Sequence, residues 1–124
     1  MVKIEKILNY SNDSREALLL ITDGSYLCEV FSHPYNLNSS RVISAPINTL
    51  LARDIMKNDS DTLSIIALRD QGLSQRIVAR VTSRHEPIVM VGEIRIRVDS
   101  SLPGDIQVGD KVEFTCARLD LPPN

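Results

Sequence analysis

The residues in this chain best suited to chemistry are two cysteines, Cys28 and Cys116, and two histidines, His33 and His85. Their spacing gives them little to do. Cys28 and His33 are the closest Cys/His pair, and a tetrahedral zinc site needs four such ligands. No second C-x-x-C or H-x-x-x-H pair completes a set, so no metal site is expected. Both cysteines lie inside apolar, strand-like runs, where burial raises a thiol's pKa and suppresses its reactivity. A disulfide between them is geometrically open. Two reduced, buried thiols fit better, and they point to a cytoplasmic protein. Each histidine sits in a loop beside Pro or Glu, the setting of an ordinary surface residue.

Other chemical patterns are equally thin. Asn58-Asp59-Ser60-Asp61 has the carboxylates of a calcium loop. It lacks the turn glycine and the distal bidentate glutamate, and Leu63 and Ile65 stand where oxygen ligands belong. Pro103-Gly104-Asp105 and Gly109-Asp110 contain single Gly-Asp turns that reverse the chain, not a glycine loop that cradles phosphate. No catalytic residue, cofactor or metal ligand is assigned, and an enzyme is the less favoured class.

The arginines are more informative. The cations are mostly arginine, whose planar guanidinium favours paired or interfacial roles over simple solubilisation. Four of them, Arg76, Arg80, Arg95 and Arg97, alternate with small or aliphatic residues between positions 75 and 99. A hairpin closed by Arg84-His85-Glu86-Pro87 would set Ser83 opposite Ile88, Val81 opposite Met90, Ala79 opposite Gly92 and Ile77 opposite Ile94. One face is then aliphatic. The other gathers the four arginines with Val78, Thr82, Val89, Val91 and Glu93. A slip of one residue would destroy that segregation. The candidate partner-binding surface is Arg76, Arg80, Arg95 and Arg97, with Val89 and Val91 as apolar contact area. A solvated outer face, with Glu93 pairing the arginines, is the competing reading. The polar loop around His33, Tyr35 and Arg41 is a second candidate for recognition, against the alternative of a crossover between sheets.

The elements that must position these residues read as mainly β. Residues 2–10, 15–22 and 25–31 form a meander, its second turn made by Asp23-Gly24, the dipeptide of a two-residue type I′ hairpin. That closure pairs Thr22 with Ser25 and Leu20 with Leu27. The central strand is apolar on both faces from Ala17 to Ile21, as in a barrel or sandwich. Val42-Ile43 suggests a brief edge pairing. Pro46, Ile47, Leu50, Leu51 and Ile55 have helical spacing and predict one short amphipathic helix. Strands are expected at 62–69, 75–83, 88–99 and 111–118. Residues 119–124 read as a loose C-terminal tail, because proline cannot donate to a ladder.

Composition bounds the rest. A length of 124 residues suits a single domain spanning the whole chain, 1–124. Aromatic residues make up only 4%, so the core must be aliphatic. No signal peptide is legible, and the longest apolar run is far too short to span a bilayer. The fold class expected is a small antiparallel β-barrel or sandwich of about seven strands, with OB-like element order as one form. A net charge of −2 supplies no field that draws the protein to nucleic acid or membrane. The function expected is non-catalytic binding of an acidic protein partner through the arginine face, as in a small inhibitor, immunity or adaptor protein. An OB-like module for single-stranded nucleic acid is the first alternative, though no aromatic falls on the hairpin to stack a base. A small-ligand carrier or enzyme with an internal barrel cavity is the second. A filled interior is expected.

Overall fold

The computed structural model describes residues 1–122. Eleven strands follow in order: β1 (Lys3–Tyr10), β2 (Ala17–Thr22), β3 (Leu27–Ser32), β4 (Ile47–Leu50), β5 (Arg53–Lys57), β6 (Ser64–Ala67), β7 (Gln75–Ser83), β8 (Ile88–Val91), β9 (Ile94–Arg97), β10 (Lys111–Cys116) and β11 (Arg118–Asp120). They belong to one sheet with the path β1-β2-β3-β11-β4-β9-β8-β7-β10-β5, and β6 adds to β7. Most contacts are antiparallel; β3 with β11 and β4 with β9 are parallel. The mainly-β expectation holds. Barrel closure does not, since the ladder ends at β1 and β5. Side chains bridge β3 to the β6–β7 region: Gln75 Nε2 donates to the Glu29 carbonyl at 2.8 Å, and Arg69 pairs with the Glu29 carboxylate at 2.7 Å.

The meander forms as expected but closes differently. Thr22 pairs with Leu27, Leu20 with Glu29 and Leu18 with Phe31, so the loop is 23–26 rather than two residues. Local side chains organise it. Asp23 Oδ1 accepts from the Ser25 and Tyr26 N–H groups at 2.9 and 2.8 Å, and Thr22 Oγ1 donates to the Tyr26 carbonyl at 2.7 Å. Such bonds compete successfully with a tight turn. The slip is two residues, so parity is kept: Ala17, Leu19 and Ile21 still point inward with Cys28 and Val30. The strand is not sealed on both sides. Leu18 and Leu20 are half-buried on the outer face and line two shallow apolar grooves.

The predicted helix is absent among the described residues, and its segment forms β4 and β5. Open strand edges outcompete helical spacing here: β4 lies between β11 and β9, and β5 pairs with β10. The turn between them is fixed by Asp99, whose carboxylate accepts from Thr49 Oγ1 (2.8 Å), Leu51 N (2.7 Å) and Ala52 N (2.9 Å). Leu51 takes a left-handed φ of 56° at this turn.

The expected single strand at 88–99 is also broken, into β8 and β9. Val91 pairs with Ile94 across Gly92-Glu93. Gly92 has φ 58°, and Glu93 is not left-handed, as in a type II′ hairpin with glycine at the first central position. Near the other end of the chain, Val42 makes an antiparallel bridge with Lys3, the brief edge pairing expected.

Residues 119–121, expected to belong to a loose tail, are held in place. β11 pairs with β4, Leu119 is fully buried, and Leu121 N donates to the Phe31 carbonyl at 2.7 Å. Positions 123–124 of that expected tail lie outside the described residues.

The core is aliphatic, as composition requires. Leu19, Ile77, Ile94, Ile96, Ile106 and Leu119 are sealed from solvent, with Phe114 the one fully buried aromatic among the described residues. No described helix is long and apolar enough to cross a membrane.

Candidate functional site

The arginine face is built on β7, β8 and β9. β7 alternates cleanly: Ile77, Ala79 and Val81 are buried, while Arg76 and Val78 are half-exposed and Arg80 and Thr82 are exposed. Ser83 stands opposite Ile88 as expected. One residue later the register changes, because Val81 faces Val89 and Arg80 faces Met90. Thr82 is the extra residue of a bulge, and its hydroxyl donates to the Ile88 carbonyl at 3.1 Å. A single inserted residue reverses which side chains of the next strand point inward.

Val89 and Val91 are consequently core residues, each 0% exposed, and they are removed from the candidate surface. Ile88 and Met90 take their place on the outer face. The physical reason is the Gly92 turn, which lets β8 end after Val91 and return as β9 with Ile94, Ile96 and Val98 inward. Arg95 and Arg97 remain outward. Met90 faces Arg80 on one side and Arg95 on the other, so Arg80, Met90 and Arg95 form one row across three strands. Lys111 of β10 continues the row beyond Arg80.

The four guanidinium groups are not equivalent. Arg76 is neutralised, donating to Glu113 Oε2 and, at 2.8 Å, to Thr115 Oγ1. That bond is the main reason the Glu113 carboxyl lies below its ordinary range; burial opposes it weakly, and Asn58 adds a further donor. Arg97 lies 3.6 Å from Glu86. Arg80 and Arg95 meet no carboxylate among the described residues. Arg80 donates to the Gly109 carbonyl at 2.7 Å, and Arg95 donates to the Ser44 carbonyl. Glu93, expected to pair with the arginines, instead holds the Met1 α-ammonium at 3.0 Å.

The second candidate loop divides. His33 and Arg41 are exposed, but Tyr35 is 3% exposed and packs edge-on against Tyr10 with ring centroids 6.4 Å apart. Tyr35 is a packing residue, and its amide donates to the Arg15 carbonyl at 2.8 Å. Arg41 uses its carbonyl to accept from Ile4 N.

Both cysteines are free and buried. Burial pushes the Cys28 thiol far above its ordinary pKa, and burial is likewise the leading reason Cys116 is pushed up to about 11. Among the described residues no group of three or more His, Cys, Asp or Glu side chains could hold a metal.

One feature escaped the sequence entirely. A cleft of about 610 Å³ opens at the rim of the sheet between the Arg84–Pro87 turn and the chain that leaves β9, lined by Arg84, His85, Asp99, Ser100 and Ser101 among others. Both walls are ordinary polar turns in sequence, separated by two strands. Only the hairpin pairing brings them face to face.

No protein-family model matches this sequence, and comparison with curated proteins and with solved structures finds no significant match.

Proposed function

We propose that this protein is a non-catalytic binding module that recognises an acidic protein partner through the outer face of β7, β8 and β9. The observation that carries the reading is the row Arg80–Met90–Arg95, in which both guanidinium groups are held by backbone carbonyls rather than carboxylates. A guanidinium oriented by a carbonyl keeps its positive charge and further N–H donors, and little order is lost when a carboxylate binds. Met90 between them is a flexible, polarisable contact suited to an interface. Arg97 and Ile88 extend the patch at the side of Glu86, while Arg76 is already satisfied and sits at its edge.

An acidic protein fits better than nucleic acid. No aromatic side chain lies on this face to stack bases, and the net charge of −2 gives no basic field over the molecule. The eleven-strand open sheet also removes the OB-like element order on which that alternative leaned. An internal ligand cavity is disfavoured by the aliphatic side chains that fill the interior.

The test places a photo-crosslinking residue at Met90 and, as a control, at exposed Leu8 on the distant strand β1. An adduct with an acidic protein from Met90 alone, lost on Arg80→Glu plus Arg95→Glu, supports the reading. Equal adducts from both positions would count against it. Salt-dependent binding of single-stranded DNA or RNA, abolished by the same double substitution, would replace it with the nucleic-acid module.

A further inference from the structure

We infer that the rim cleft is a second, separate binding site, one that takes a small organic molecule through an ionised phosphate or carboxylate head. The cleft's volume, about 610 Å³, lies within the usual range for small-molecule sites. Its chemistry is set by what its residues already do. Arg84 is half-buried, and its Nη1 donates to the Ile106 carbonyl and, at 3.3 Å, to that of Pro103. Both bonds leave from Nη1, so Nε and Nη2 have no partner among the described residues. A guanidinium held in this way favours oxyanions, which accept two parallel N–H bonds.

The facing wall supplies further donors. Among the described residues, neither the backbone N–H groups of Ser100 and Ser101 nor their hydroxyls have a hydrogen-bond partner, and the His85 ring has none. Exposed amides and hydroxyls of this kind add donors to an anion seated beside a guanidinium. Among the described residues Asp99 is the one carboxylate lining the cleft, and it does not oppose this use strongly. Both its oxygens are turned into the Thr49–Ala52 side, where they accept three hydrogen bonds. Glu86 is drawn the other way, toward Arg97 at 3.6 Å. Pro87, Val98 and Leu102 also line the cleft and give a carbon body something to pack against. The cleft exceeds a bare ion, so a head with an attached body fits it better than inorganic anion alone.

The experiment is a titration of the ¹⁵N-labelled protein, followed by amide chemical shifts, with four probes: inorganic phosphate, phenyl phosphate, acetate and benzoate. Saturable shifts centred on His85, Ser100 and Ser101 are expected, with phenyl phosphate or benzoate binding more tightly than its bodiless counterpart. The preferred pair tells a phosphate head from a carboxylate head. Ser101→Asp, an exposed substitution that places a carboxylate in the cleft, should weaken binding by about tenfold or more. Arg84→Gln should do the same, and Ser101→Asp keeps the test decisive if the Arg84 variant fails to fold. Shifts that do not saturate, that spread over Arg80 and Arg95 instead, or that survive Ser101→Asp would overturn the site. The double substitution Arg80→Glu plus Arg95→Glu should leave this titration unchanged, so the cleft and the outer face stand or fall separately.

Discussion

Asp99 and Leu51 are joined across 48 positions of sequence by a 2.7 Å hydrogen bond from the leucine amide to the aspartate Oδ2. The bond holds a leucine, 63% exposed, in the left-handed region at φ 56°, a conformation unfavourable for any side chain with a Cβ. Leu51→Gly should raise stability by about 0.5–1 kcal/mol in chemical denaturation, because glycine adopts positive φ freely. Asp99→Ala should lower it by about 1–3 kcal/mol through the lost charge-assisted bonds. Equal stability of Asp99→Ala and the parent would show that the turn is self-sufficient.

The same aspartate predicts acid sensitivity. Burial opposes its ionisation, but donors at Ala52, Thr49, Leu51 and its own amide hold its pKa below the ordinary value. A lowered folded pKa contributes stability that is present above the unfolded value, about 3.9, and is lost as pH falls through the folded value. Asp23 is lowered too: burial opposes ionisation, and amide donors at Glu93, Tyr26 and Ser25 outweigh it. Urea midpoints measured from pH 6 downward should therefore fall below about pH 4, and Asp99→Asn should flatten the decline. An unchanged slope in Asp99→Asn would assign the acid loss elsewhere.

Gly92 makes a second strict prediction. A Cβ at this position would lie 2.3 Å from Asp23 Oδ2 and 2.8 Å from the Tyr26 ring, at a backbone φ of 58°. Asp23 Oδ2 accepts from the adjacent Glu93 amide at 2.8 Å, so the β2–β3 and β8–β9 turns are locked together here. Gly92→Ala should cost about 1–3 kcal/mol. Combined with Asp23→Ala the two losses should be less than additive, since part of the clash is gone. Strict additivity would refute the contact.

Register can be checked without a new structure. With Val89 sealed and Met90 half-exposed, Val89→Ala should cost about 2 kcal/mol and Met90→Ala under about 1 kcal/mol. The opposite ranking would restore the unbulged hairpin. Arg80→Glu plus Arg95→Glu, on the outer row, should change stability by no more than about 0.5 kcal/mol per substitution.

The buried thiols make the alkaline limb predictable. Cys116, pushed up to about 11 chiefly by burial, contributes stability fully present below the unfolded pKa of about 8.5 and lost as pH rises toward the folded value. Denaturation midpoints should fall from about pH 8.5 upward, and a thiol reagent at pH 8 should react only on unfolding. Rapid labelling of the native protein would contradict the burial of both cysteines.

The alternation of apolar and polar residues was enough to fix much of this protein. It placed β1 to β3, β7 and β10, put Ile77, Ala79, Val81 and Ile94 inside, and set Arg76, Arg80, Arg95 and Arg97 outside. Parity explains that reliability: a two-residue slip, as at Asp23, moves partners but not faces. What alternation could not fix was any choice between two apolar sets. Residues 88–91 are aliphatic at every position, so either Val89 and Val91 or Ile88 and Met90 could face the core. The extra residue at Thr82 and the turn at Gly92 made that choice, through contacts with strands distant in sequence. Residues 47–57 carried a helical pattern, yet the exposed edges of β9, β10 and β11 and the carboxylate of Asp99 drew them into strands. Local sequence states which side chains avoid water; only the assembled sheet supplies the hydrogen-bonding edges that decide where the backbone goes.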